Sequence, residues 1–127
     1  MFNLKSIEKK QNIILPSRYK NLYQSDFKEI DGRLNICINE ETIRISKFLN
    51  AEEMDNILEE FYDFWSYDII PIAETEYDDY ICLFYRENSS DPSVIYWDYD
   101  LAMVCPEDAI FYLCDNIEEL FLKLKYV

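Results

Sequence analysis

Carboxylates interleaved with tyrosines form the part of this sequence best suited to chemistry. Glu74, Glu76, Tyr77, Asp78, Asp79 and Tyr80 come in one run; Tyr96, Asp98, Tyr99 and Asp100 come in a second, with Glu107 and Asp108 just beyond. Three kinds of chemistry use such residues. Carboxylates read the Lys and Arg of a partner, while tyrosines supply rigid contact area. Two carboxylates at a set separation can serve as acid and base on a glycoside. Alternating acids such as Glu74-x-Glu76-x-Asp78 can hold calcium. The glycosidase reading needs a nucleophile, base and orienting group, and no such set can be named here. The calcium reading lacks the EF-hand spacing with its glycine and distal Glu. Recognition of a basic partner is the reading carried forward, with no catalytic residue, metal ligand or cofactor assigned.

Two absences support a non-enzyme. The chain has no histidine, which removes His-based acid–base catalysis and every Ser-His or Cys-His arrangement. Its one glycine, Gly32, cannot build a phosphate-cradling loop or a dinucleotide fingerprint. The cysteines Cys37, Cys82, Cys105 and Cys114 show no Cys-x-x-Cys pair, so a structural metal is not expected. Cys37 and Cys82 sit in apolar strand patterns and read as small core residues; nothing activating is visible beside Cys105 or Cys114.

Charge is distributed unevenly. The formal net charge is -14, and between Phe48 and Leu122 the only base is Arg86. A field of that sign repels nucleic acid and anionic membranes and speeds encounter with basic partners. A plainer use of such acids is a soluble surface, and only their placement can separate the two. The bases Lys5, Lys9, Lys10, Arg18 and Lys20 gather near the start, where they balance the acids of the same domain. No apolar run approaches membrane length and no export signal opens the chain, so a cytoplasmic protein with reduced thiols is expected.

The elements that must position the acids follow from periodicity. An amphipathic start over 2–10 carries Phe2, Leu4 and Ile7. A second short helix opens at Leu15-Pro16, with Tyr19, Leu22 and Tyr23 on one side. Asp31-Gly32 marks a turn. Strands are expected over 34–38 and 42–46, joined by 39–41. Asn50 and Glu53 form a capping-box pattern ahead of Met54, Ile57, Leu58, Phe61, Phe64 and Trp65 at helical spacing. Glu52, Asp55, Asn56, Glu59, Glu60 and Asp63 fall on its polar side. Strands over 69–74, 80–86, 94–100 and 109–114 follow, with a turn at 88–92. A last helix, capped by Asp115 or Asn116, carries Ile117, Leu120, Phe121 and Leu124. If the strands at 80–86 and 94–100 form a hairpin, Asp79 and Tyr80 come close to Asp98 and Asp100 at one end of the sheet. Alternation would then set Tyr96, Asp98 and Asp100 on one face and Trp97 and Tyr99 on the other. The expected architecture is a single α+β domain over 1–127, a mixed or mostly antiparallel sheet with helices packed on one face.

Ile70-Pro-Ile-Ala-Glu74, Asp79-Tyr-Ile-Cys-Leu83 and Val94-Ile-Tyr-Trp-Asp98 together resemble the core of the SUKH superfamily. Leu15-Pro16 with Tyr19, the loop Ile30-Asp-Gly-Arg33 and the helix Ile117-Glu-Glu-Leu-Phe121 agree with it in order. Asp78 stands where that pattern often has Gly, and Arg33 replaces a second Gly. The resemblance implies an α+β fold. In bacteria it implies an immunity protein that binds and neutralises a cognate polymorphic toxin, often a nuclease. Fungal relatives imply a regulatory interaction scaffold instead. Neither role is catalytic.

Overall fold

The structure is a computed structural model that describes residues 3–23, 32–65, 68–86 and 90–126. Phe2, the Ile30-Asp31 part of the expected loop, the first residues of the expected 88–92 turn and the side chain of Leu22 lie outside that description.

Two short helices open the chain, α1 (Leu4–Gln11) and α2 (Ser17–Tyr23). The Asn3 side chain caps α1 by accepting the Ser6 N–H at 3.0 Å. Strands β1 (Leu34–Ile38) and β2 (Glu41–Phe48) form a hairpin closed by Asn39 and Glu40. Both turn residues have positive φ, 51° and 67°, as a two-residue turn matched to strand twist requires. Asn tolerates that conformation; Glu holds it at a cost.

Helix α3 (Ala51–Glu60) realises the capping box: Glu53 N–H donates to Asn50 Oδ1 at 2.8 Å, and Asn50 N–H to Glu53 Oε1 at 3.1 Å. The expected single helix through Trp65 is broken. Phe61 departs from helical geometry at φ -109°, ψ 22°, and α4 (Tyr62–Trp65) restarts the turn. Asp55, expected on the polar side, is only 3% exposed. Lys10 of α1 reaches it at 2.8 Å, so packing of α1 on α3 buries the carboxylate together with its counter-ion.

Strands β3 (Ile69–Thr75), β4 (Tyr80–Phe84) and β5 (Ser93–Trp97) are almost entirely buried, in keeping with their continuous apolar runs. The β3–β4 connection is a turn with Asp78 N–H bonded to Thr75 O at 3.1 Å and Asp78 itself at φ 61°. The family pattern's Gly at this position fits that left-handed requirement, which Asp meets less easily.

The strand expected over 94–100 stops at Trp97. Asp98 instead caps a short helix, α5 (Tyr99–Val104), by accepting the Leu101 N–H at 3.0 Å. The expected strand alternation of Asp98, Tyr99 and Asp100 therefore does not exist; they lie on a cap and a first helical turn. A 3-10 turn (Pro106–Asp108) leads to β6 (Ile110–Cys114), then to α6 (Ile117–Lys123), capped by Asn116, and to a two-residue strand β7 (Lys125–Tyr126) that the sequence pattern did not suggest.

The sheet order is β6-β5-β4-β3-β2-β1-β7, and every pairing among the described residues is antiparallel. The fold is α+β. Register aligns Tyr80, Trp97 and Ile110 on one face and Ile81, Tyr96 and Phe111 on the other. Phe61 and Trp65 pack on the first row, with ring centroids 4.9 and 5.0 Å from Trp97. The second face bends toward itself. β1 and β6 are five strands apart, roughly 24 Å if flat at about 4.8 Å per strand, yet Ile38 and Phe111 line one cleft. No helix among the described residues is long and apolar enough to cross a membrane.

Candidate functional site

The curl brings the β1–β2 turn opposite the junction of β5 with α5. Between them lies a cleft of about 310 Å³ lined by Ile38, Asn39, Glu41, Ile43, Tyr77, Asp79, Tyr96, Asp98, Asp100 and Phe111. Four carboxylates lie among apolar walls, with no Lys or Arg in the lining.

Antiparallel pairing of β4 with β5 sets Tyr80 opposite Trp97, so Asp79 arrives beside the start of α5. One Asp79 oxygen accepts the Tyr99 N–H at 2.8 Å; the other accepts a short hydrogen bond from the Tyr96 hydroxyl. The Thr75 hydroxyl oxygen accepts the Asp79 N–H at 3.3 Å. Asp79 is 7% exposed and Tyr96 is buried beside it. Burial pushes the Asp79 carboxyl above its ordinary value. The Tyr96 and Tyr99 hydrogen bonds pull it back, and the charges of Asp98 and Asp100 add to the rise. Among the described residues no Lys or Arg bonds to Asp79, and uncharged donors hold its charge.

The hairpin expectation thus holds for Asp79, Asp98 and Asp100, which gather at one end of the sheet. Their roles differ from the expectation of a common outer surface. Asp79 and Tyr96 form a floor and are engaged with each other, while Asp98 is partly spent as a helix cap. Asp100, Glu76, Tyr77 and Asp78 are exposed, and Tyr99 is 38% exposed. The neighbouring charges of Glu41 and Glu76 hold the Tyr77 phenol above its ordinary value.

Six candidates do not line the cleft: Glu76, Asp78 and Tyr99 lie beside its lining residues in the chain, and Glu74, Glu107 and Asp108 lie elsewhere. Glu74 pairs with Lys47 and Tyr80 in register, on the face opposite Asp79's neighbours, and burial raises its pKa. Glu107 and Asp108 sit in the 3-10 turn, where they accept bonds from the Cys105 thiol at 3.4 and 3.1 Å. Those carboxylates push the thiol up to about 11, opposite to what a reactive cysteine needs. Cys82 is buried as a core residue, but Cys37 is exposed on the outer side of β1. The inward alternation of Leu34, Ile36 and Ile38 dictates that placement.

Ile38, Asn39, Glu41, Ile43 and Phe111 line the cleft without having been singled out in the sequence. A connection over 39–41 was visible, one residue longer than the Asn39-Glu40 turn observed; its approach to Asp98 depends on the curl. Among the described residues no group of three or more His, Cys, Asp or Glu is arranged to hold a metal ion.

The sequence pattern of the SMI1 / KNR4 family (SUKH-1) matches residues 3–123, almost the whole chain. The chain belongs to the SMI1 / KNR4 family. The search of curated proteins found no match to it. SUKH proteins generally interact with partner proteins, and membership is consistent with either a toxin-immunity or a regulatory role.

Proposed function

We propose that this protein is a non-catalytic cytoplasmic immunity protein that binds and neutralises a cognate basic toxin, a nuclease, through the acidic cleft and its rim. The observation that carries the reading is the cleft itself: Glu41, Asp79, Asp98 and Asp100 converge from separate parts of the chain on a concavity with apolar walls and no base. Walls such as Ile38, Ile43 and Phe111 accept the aliphatic stem of a Lys or Arg, and the carboxylates accept its head. A nuclease must be basic to hold phosphates, so an acidic inhibitor complements the surface its substrate would use.

Reversing Glu41 and Asp100 to Lys tests it. Both side chains are exposed, so thermal stability should change little. Binding to the toxin encoded beside the protein's own gene should weaken by several kcal/mol, because like charges then meet at the interface. The matched control is reversal of exposed Glu52 and Glu60 on α3, which alters net charge equally and should leave binding intact. Equal loss in both variants would favour a broad acidic mimic of nucleic acid. No loss in either would leave the acids as a solubility device. Absence of any toxin-like reading frame near the gene would favour a regulatory scaffold, and reproducible turnover of nucleic acid or glycan would overturn the non-catalytic reading.

A further inference from the structure

The two edges of the sheet are finished differently. At one end β7 is two residues long and carries Lys125, a short charged edge that resists further pairing. At the other end β6 reads Ile110-Phe-Tyr-Leu-Cys114, uncharged, with Tyr112 62% exposed, and pairs only with β5 among the described residues.

The direction of its free backbone groups follows from one bond. Asp98 N–H donates to Ala109 O at 3.0 Å, so the Ala109 carbonyl turns toward β5. Alternation along an antiparallel strand turns the polar groups of Phe111 the same way and those of Ile110 and Tyr112 outward. The pairs Ile95↔Tyr112 and Val94↔Cys114 leave Leu113 without a partner, so a bulge ends the open stretch after Tyr112. The result is a short row of donors and acceptors unpaired among the described residues.

Charge decides what can pair there. Exposed Glu107 and Asp108 precede β6, and exposed Asp115 and Glu118 follow it. A second copy would bring acids against acids in either orientation, between molecules that each carry -14. A basic segment meets opposite charge at both ends. The strand also adjoins the cleft, since Phe111 is one of its walls.

We propose that the open edge of β6 receives an extended segment of the basic partner as an added strand, with Lys or Arg at alternate positions. The occupant's charge rests on the function proposed above; the open edge does not. Basic residues of the added strand fall on the side of Phe111, toward Asp98 and Asp100. The residues between them fall beside Ile110 and Tyr112, where apolar side chains fit.

The test titrates the full chain with an end-blocked peptide of alternating Lys and Val, against an alternating Glu-Val peptide, and follows backbone amide exchange. The expected result is at least tenfold slower exchange at Ile110 and Tyr112 with the Lys-Val peptide only. Tyr112→Pro removes one outward N–H at a position where an edge strand tolerates proline; it should weaken binding at least tenfold at an unchanged melting temperature. If that variant does not fold, the exchange pattern of the unaltered protein decides. Binding that Asp100→Lys abolishes while Tyr112→Pro and the two amides are unaffected would overturn the edge and leave the cleft reading standing. Failure of the peptide to bind at all would overturn the edge, with the cleft still judged by the toxin itself. A concentration-dependent dimer dissolved by Tyr112→Pro would also overturn it, because the occupant would be a second copy.

Discussion

Asp55 and Asp79 are both buried carboxylates, and the molecule treats them in opposite ways. At the α1–α3 contact, Asp55 meets the ammonium of Lys10 at 2.8 Å, and Lys10 also reaches Glu59 at 3.1 Å. At the β4–β5–α5 junction, the Asp79 carboxylate meets, among the described residues, only the Tyr96 hydroxyl and the Tyr99 N–H, with Asp98 and Asp100 nearby. Asp78, in the turn that leads into β4, and Glu40, in the β1–β2 turn across the cleft, hold left-handed backbone. Neutralised charge marks the part that holds the fold together. Retained charge marks the part that the proposed function assigns to a partner, as expected where function competes with stability.

Substitutions can break that contrast, and Tyr96→Phe should have the largest effect on folding. It removes a donor from a buried carboxylate that has no cation among the described residues to replace it, and should cost about 1.5–3 kcal/mol in denaturant unfolding. A cost below the noise of such a measurement would mean that water serves Asp79 equally well. Lys10→Met should cost about 1 kcal/mol: breaking a buried pair is severe, but the half-exposed Lys10 side chain lets water take over.

Two smaller changes sharpen the contrast. Asp78→Gly should stabilise by ~0.5–1 kcal/mol, because Gly accepts φ 61° without steric cost; a lower melting temperature would show that the Asp side chain does more than occupy the turn. Asp79→Asn should change stability at neutral pH least but reshape its pH dependence. The folded-state pKa of Asp79 is raised, so its contribution is present below the ordinary 3.8 and is lost as pH rises through the folded value. The variant should lack that acid-side slope. Lys10 is also raised, by its hydrogen bonds to Asp55 and Glu59. Its contribution is present below 10.5 and is lost as pH climbs through the folded value. Lys10→Met should therefore flatten the alkaline limb. If Asp79→Asn altered that limb, the two regions would be coupled.

Much of the fold was legible because local signals agreed. Asn50 and Glu53 marked the start of α3, and the apolar runs of β3 and β4 marked a buried sheet. α5 was not legible as a helix. Val94 to Asp100 alternates plausibly as a strand, and a six-residue helix gives too little periodicity to contradict it; the cap at Asp98 was the one available clue. The fate of Asp55 was hidden for another reason, since its partner Lys10 comes from a helix far earlier in the chain. Cys37 is the reverse case: strand parity already pointed it outward.

By itself the sequence determined the chemistry available: no imidazole, one glycine, an excess of carboxylates beside tyrosines, and a mixed or mostly antiparallel α+β pattern resembling the family to which the chain belongs. Only the tertiary structure decided which acids work together. It withdrew Asp79 and Tyr96 into a floor, left Glu74, Glu107 and Asp108 outside, and brought in Glu41 from a distant hairpin. The physical reason is the curl of the sheet. Periodicity assigns a residue to a face, whereas the distance between strands several places apart depends on how far that face bends, which no local spacing records.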